Sequence, residues 1–247
     1  MNTHNNPGYK YDPELAQYRP ATSTKGESAL TNTHATFVNK VLNYVSIQLA
    51  ITTLISSMMY HNRDSVIHKI QADPGLVWFP VVTSFISLCC MYFITSCRKP
   101  MFWIFTVACS FMVGMSVLSY APDIVFMAVI TTMLIVWIVN GYSYMCARQN
   151  KDLSFLEPLL LTGLFMLIII GILNYFIKSS LAHCLITLFG VIIFTGFLLF
   201  DLNRLYEKGD RDLINEPMLA AVNIYLDIIN LFLYLLELYE LWFGKAE

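Results

Sequence analysis

The feature that most constrains this chain is a series of seven apolar runs separated by short polar breaks. Each run is close to the ~20 residues that a helix needs to cross the ~30 Å hydrocarbon core of a bilayer. Runs of this length argue against a β-barrel, whose strands show ~10-residue alternating segments. The sequence therefore predicts an all-α membrane protein, a bundle of seven transmembrane helices, with spans at about 37–59, 77–97, 101–120, 123–145, 156–177, 181–202 and 218–239.

Composition supports a lipid environment. Only 13% of the residues are charged, about half of the ~25% that is usual in a soluble domain. So few charges cannot cover a soluble surface, and the expected surrounding is the lipid bilayer. The net charge of −2 gives no indication of a basic surface that would bind a nucleic acid. Residues 1–35 are polar and are expected to form a disordered cytoplasmic tail in front of the transmembrane domain at 36–247.

Lys and Arg residues predict the orientation of the spans. With the N-terminus in the cytoplasm, 11 of the 15 basic residues fall on the inner side and 4 on the outer side. The seventh run contains Asp227 and Glu237, which leaves two alternatives for it. It either crosses the membrane, or it re-enters and returns the C-terminus to the cytoplasm.

Two acidic residues lie inside the apolar runs, Asp201 near the end of the sixth and Asp227 within the seventh. A carboxylate in the bilayer interior costs at least ~2.5 kcal/mol, so it usually faces the bundle interior and marks a candidate functional site. The two runs are joined by a short loop and should form antiparallel neighbours. At a rise of ~1.5 Å per residue, the two carboxylates come to a comparable depth. Function is therefore expected first at this pair.

The last run also carries a polar stripe. Its polar residues recur at spacings of 4, 3, 4 and 3, which places them on one helix face, expected to lie in the middle of the bundle. They are Asn223, Asp227, Asn230, Tyr234 and Glu237.

The expected chemistry of the pair is proton-dependent. Two carboxylates a few ångströms apart cannot easily both ionise, so they share a proton. A protonated pair can join two helices by a hydrogen bond, whereas a deprotonated pair repels itself and attracts a cation such as calcium, which prefers oxygen ligands. Two structural alternatives stay open: Asp227 only bonds a neighbouring helix, and Asp201 pairs with Arg204 at the interface.

Several segments resemble a known family. The segment from Glu216 to Leu236 is similar to the C-terminal signature of the transmembrane BAX-inhibitor motif family, lifeguard branch, and Gly196-Phe-Leu-Leu-Phe-Asp201 to the end of its sixth helix. The segment from Thr36 to Thr52 resembles its first helix, and Phe111-Met-Val-Gly114 its third. One departure is that the second run contains neither Arg nor Glu, so a helix-two latch found in some relatives lacks its usual residues.

The resemblance implies a bundle wrapped around the last helix, with Asp201 and Asp227 as a di-aspartyl pH sensor. It implies a pH-sensitive calcium leak channel or regulator of calcium homeostasis in an intracellular membrane, with a role in suppressing cell death. The endoplasmic reticulum or the Golgi is the expected location, with the plasma membrane as a further option. Apoptosis-regulating membrane proteins are the implied partners.

The alternative function is that of a membrane adaptor that inhibits death signalling through protein partners without conducting ions. An enzyme is not expected, because the chain lacks the Gly-x-Gly-Asp motif of intramembrane aspartyl proteases. No tightly bound cofactor is expected. Calcium is predicted as the permeant ion, with transient binding to the acidic pair.

Overall fold

A computed structural model describes residues 22–73, 75–149, 151–207 and 216–244. The elements are α1 Thr22–His61, α2 Arg63–Ala72, α3 Gly75–Phe93, a 3₁₀ turn Thr95–Cys97, α4 Arg98–Val117, α5 Pro122–Arg148, α6 Leu156–Ile177, α7 Ser180–Tyr206 and α8 Pro217–Phe243. The chain divides into two units, Met1–Thr36 and Phe37–Glu247. Of the tail expected at 1–35, residues 1–21 lie outside the described part, and the chain is helical from Thr22.

Seven of the described helical segments are long and apolar enough to cross a bilayer. They are Thr33–His61, Gly75–Phe93, Thr95–Val117, Pro122–Arg148, Leu156–Ile177, Ser180–Tyr206 and Pro217–Phe243. The predicted all-α membrane fold with seven helices is thereby confirmed. The short α2 was not predicted, and it buries none of its residues.

Helix ends follow local rules of sequence. Pro122 and Pro217 open α5 and α8, where the missing N–H of proline leaves no hydrogen bond unmade. Lys178 ends α6 with a left-handed φ of 54°, and the hydroxyl of Ser179 then accepts a hydrogen bond from the Ala182 amide to cap α7. These two residues suffice to turn the chain between antiparallel helices.

The last helix forms the centre of the bundle, as predicted. Within its apolar part, 61% of the residues are buried, against 11% for α6. It packs against α4, α5 and α7, and its buried residues include Ala221, Val222 and Tyr225, each fully enclosed. Large apolar side chains such as Phe93 and Trp137 point outward instead. This is the distribution that a lipid solvent requires.

Candidate functional site

Asp201 of α7 and Asp227 of α8 come together. Their carboxyl groups lie close enough to form a carboxyl–carboxyl hydrogen bond. The two helices pack antiparallel, since Asp201 meets Asp227, Phe194 meets Tyr234, and Thr187 meets Glu237 further along. Residue numbers thus fall along α7 as they rise along α8, and this register places the two acids side by side.

One carboxyl oxygen of Asp227 is enclosed without a hydrogen-bond donor. Asp227 is only 7% exposed. Its Oδ2 atom is buried and has no hydrogen-bond partner in the described part of the chain. Ionised carboxylates only accept hydrogen bonds, so two of them can bond each other only through a proton. The arrangement can hold one proton between the two acids.

Asp201 is less enclosed than Asp227. It is partly buried. It interacts electrostatically with Arg204 on its own helix and with Glu157 at the start of α6. The predicted neighbour Arg204 is thus within electrostatic range of the pair. One cation and one further carboxylate flank the two acids from two helices.

A side chain that the sequence did not single out reaches the same place from α3. The hydroxyl of Tyr92 donates a hydrogen bond to Oδ1 of Asn223 at 2.8 Å. It also lies within electrostatic range of Asp201. Asn223 is one helical turn before Asp227, so Tyr92 connects α3 to the part of α8 that carries Asp227. The second run, which lacks Arg and Glu, thus contributes a neutral hydroxyl here.

The rest of the polar stripe faces α7 but does not join the pair. The side-chain amide of Asn230 donates to the Leu226 carbonyl of its own helix at 2.8 Å. The ring of Tyr234 stacks on Phe194 with centroids 5.5 Å apart. It approaches the backbone of α7 at Gly190, where a Cβ atom would lie 2.5 Å from its ring. Tyr234 thus packs closely against α7, whereas Asn230 bonds its own helix.

Glu237 belongs to a second polar group at the other end of the bundle. Its Oε1 lies 3.2 Å from Nε2 of His183, and its Oε2 accepts a hydrogen bond from the Thr187 hydroxyl at 3.2 Å. Tyr120, in the turn between α4 and α5, lies within electrostatic range of Glu237 and Glu240. Burial first, and then the Glu237 and Glu240 carboxylates, raise the pKa of the Tyr120 hydroxyl.

A buried network of neutral polar side chains joins α1, α4 and α8. The hydroxyl of Thr52 lies 2.9 Å from that of Ser110 and 2.8 Å from that of Tyr225. One turn earlier, the amide of Gln48 donates to the Thr106 hydroxyl at 3.0 Å. The sequence carried a signal for this network: Gln48/Thr52 and Thr106/Ser110 are matching i, i+4 pairs in apolar helices.

An ion pair connects the start of α4 to the residue that precedes α8. Arg98, in the first turn of α4, binds Glu216, which precedes Pro217. Its Nε also donates to the Met91 carbonyl at 3.1 Å, which holds the corner between α3 and α4. Arg98 is one of the 11 basic residues that fall on the inner side in the predicted orientation. No local pattern predicts its partner, 118 positions away.

Within the described residues, no group of three or more His, Cys, Asp or Glu is arranged to hold a metal ion. The acidic pair itself offers two carboxyl groups, and Asn223 a further oxygen one turn away. Such a set is smaller than the six to eight oxygens that calcium takes in a resident site.

The fold and the site together define a multi-pass membrane protein of seven helices with an acidic pair enclosed between the last two. The sequence model of the family described as "Inhibitor of apoptosis-promoting Bax1" matches residues 34–244. The chain belongs to this family.

Several relatives match along most of their length. A BI1-like protein of Arabidopsis thaliana is 32% identical over 207 residues, which cover 82% of this chain and 79% of the relative. Protein LIFEGUARD 4 of the same plant is 29% identical, over 83% of this chain and 84% of its own. A Golgi anti-apoptotic protein of Vaccinia virus (strain Lister) is 28% identical, over 86% of this chain and 88% of the viral protein.

Proposed function

We propose that this protein is a pH-sensitive calcium leak channel, or a regulator of calcium homeostasis, in an intracellular membrane, and that it suppresses cell death. The observation that carries the proposal is the contact between the carboxyl groups of Asp201 and Asp227 on two adjacent membrane helices. An acidic pair in the interior of a bundle is costly to insert and is commonly found on ion or proton pathways.

Protonation is the switch in this mechanism. With one shared proton, the two carboxyls join α7 to α8 by a strong hydrogen bond. Without it, two negative charges about 4 Å apart repel by about 4 kcal/mol at an effective dielectric constant of about 20. That energy is enough to shift a balance between closed and open arrangements by several hundredfold. Acidification of the adjacent solution therefore closes the bundle, and its reversal loosens it.

Calcium is the permeant ion in this account, with no tightly bound cofactor. The deprotonated pair presents four carboxylate oxygens. Asn223 adds an amide oxygen, which in this structure accepts a hydrogen bond from the Tyr92 hydroxyl. A hard divalent cation prefers such ligands. Their small number holds calcium weakly enough to release it again, which conduction requires.

The suppression of cell death rests on the relatives. The matching family is described by inhibition of an apoptosis-promoting protein, and the viral relative is named as a Golgi anti-apoptotic protein. These names also support an internal membrane, the endoplasmic reticulum or the Golgi, as the location. The adaptor function stays a second candidate on the same ground, with apoptosis-regulating membrane proteins as partners.

Reconstitution separates the two candidates. The purified full chain is inserted alone into liposomes loaded with a calcium indicator, and calcium flux is compared for the wild type and Asp227→Asn. The channel proposal expects flux without partners that falls on acidification, and a variant whose flux no longer responds to pH. Wild-type liposomes that leak no more than protein-free ones contradict conduction and favour the adaptor.

A further inference from the structure

Helix α6 packs closely against α7, the helix that carries the first acid of the pair. A Cβ atom on Gly196 would lie 2.6 Å from Cδ2 of Leu160, and one on Gly163 would lie 3.1 Å from Cδ1 of Ile193. Residue numbers thus fall along α7 as they rise along α6, so the two helices are antiparallel. The start of α6 therefore lies beside the end of α7, where the acidic pair is found.

This register brings Glu157, in the first turn of α6, next to Asp201. Glu157 is three residues before Leu160 and therefore shares the side of α6 that faces α7. Asp201 is five residues after Gly196. At a rise of ~1.5 Å per residue, the two acids lie within about 3 Å of the same depth. Their carboxyl groups accordingly interact electrostatically.

Three carboxyl groups thus form a row that leads from the solvent to the interior. Glu157 is exposed, Asp201 is partly buried, and Asp227 is only 7% exposed. At the inner end of the row, Oδ2 of Asp227 is buried and has no hydrogen-bond partner among the residues that the structure describes. Buried polar atoms normally have a partner, and a cation is one that a carboxylate oxygen accepts.

Arg204 places the opposite charge beside the same row. It is one helical turn after Asp201 on α7, and its effect on the Asp201 carboxyl is larger than that of Glu157. A cation that approaches the pair from this end of the bundle is attracted by Glu157 and repelled by Arg204. The balance of these two charges sets how many cations are present at the pair.

We propose that Glu157 draws hard divalent cations from the adjacent solution towards Asp201 and Asp227, and that Arg204 limits this attraction. The inference rests on the proposed function, because it concerns the ions that reach the same pair. An electrostatic potential acts twice as strongly on a divalent cation as on a monovalent one. The enrichment that Glu157 gives calcium is therefore the square of the enrichment that it gives sodium or potassium.

The test measures the binding of Mn²⁺, a paramagnetic substitute for calcium, to the purified full chain in an uncharged detergent at mildly alkaline pH. Broadening of the Leu202 amide signal is followed by NMR. In about 0.01 M salt, Glu157→Gln should raise the Mn²⁺ concentration for half-broadening about two- to fivefold, and Arg204→Gln should lower it by a similar factor. In about 0.5 M salt both changes should fall below about 1.5-fold, because the salt screens the charges.

Two control variants separate charge from shape and position. Glu157→Asp keeps the negative charge and should bind Mn²⁺ nearly as the wild type does. Asp123→Asn removes an exposed carboxylate from the start of α5. That site is at the opposite end of α5 from Asn140, which bonds Tyr206 near the end of α7. Asp123→Asn should therefore leave the half-broadening concentration unchanged.

Three results would overturn the inference: a wild-type Leu202 signal without broadening that calcium reverses, equal Mn²⁺ binding by Glu157→Gln and Asp123→Asn, or a Glu157→Gln effect that high salt does not reduce. The titration needs no conduction. Wild-type liposomes that leak no calcium would therefore reject the channel, while the Mn²⁺ titration still decides the role of Glu157.

Discussion

The hydroxyl of Tyr225 shows how a single buried atom holds two membrane helices together. It lies 2.8 Å from the Thr52 hydroxyl, and the whole side chain is enclosed. Tyr225→Phe keeps the ring and removes this bond, so we expect a loss of about 0.5–1.5 kcal/mol in the free energy of unfolding. Denaturation in detergent micelles measures it. Tyr175→Phe, at an exposed position of α6, is the control and should change stability by much less.

Gly190 permits the closest approach of Tyr234 to α7. Gly190→Ala would bring a methyl group to 2.5 Å from the ring, which is stacked on Phe194 and must move. We expect a loss of about 1–3 kcal/mol, as for other overpacked sites. Gly171→Ala in α6 meets nothing within 4 Å. It should be neutral or stabilising by up to about 1 kcal/mol, because alanine favours helix. Equal melting temperatures for the two variants would contradict this account.

The acidic pair could be predicted from individual residues, whereas its neighbours could not. The cost of burying Asp201 and Asp227 marks them in any apolar run, and the helical rise per residue gives their depth. The partner of Asn223 is Tyr92, 131 positions away. Its identity depends on how α3 packs against α8, and one sequence carries no local sign of that. The stripe was predicted as a set, but tertiary contacts divide it between two ends of the bundle.

The beginning of α8 is fixed by an ion pair with α4. Arg98→Gln removes the cation that binds Glu216 and the N–H that donates to the Met91 carbonyl. The contact of α4 with the start of α8 and its contact with α3 are both lost. The pair is partly buried, with 14% and 34% of the side chains exposed, and we expect a loss of about 1–2 kcal/mol in stability. Lys99→Gln makes the same charge change at the neighbouring exposed position and should cost much less. Identical denaturation curves for Arg98→Gln and Lys99→Gln would show that the ion pair does not stabilise the bundle.

The turn before α6 has a pH dependence of its own. Hydrogen bonds from the Ser154 hydroxyl and then from the Ser154 amide lower the pKa of the Asp152 carboxyl, because they favour its ionised form. The stabilisation is complete above the usual carboxyl range and is lost as pH falls through the lower folded-state pKa. The amide signal of Ser154 in an NMR titration should shift in that acidic window. Asp152→Asn does not titrate there and should give a flat profile.

Helix boundaries could be predicted from sequence only within a few residues. Pro122 and Pro217 mark the starts of α5 and α8 because proline fits the first helical turn. The far ends are less visible: α5 continues to Arg148 and α8 to Phe243, beyond the predicted apolar runs. An apolar run reports the part of a helix that lipid surrounds, whereas hydrogen bonding extends the helix into the interface.

The most enclosed spanning helix of the bundle is also the one that carries the buried carboxyl group of Asp227. α8 contacts α4, α5 and α7 directly, is bonded to α1 through Tyr225 and to α3 through Asn223, and carries Asp227. Any change in the charge of Asp227 therefore acts on a helix that most of the bundle contacts. This arrangement gives a local proton a route to a global change, which the proposed pH-sensitive leak requires.

The most direct test of the central claim is a double-mutant cycle on calcium flux. Wild type, Asp201→Asn, Asp227→Asn and the double variant are reconstituted alone in liposomes, and flux is followed across a pH series from acidic to mildly alkaline. If the two carboxyls share a proton, each single variant loses the pH response, and the double variant adds nothing further. Effects of the two substitutions that add independently, or a pH response that survives in both single variants, would contradict the shared-proton mechanism.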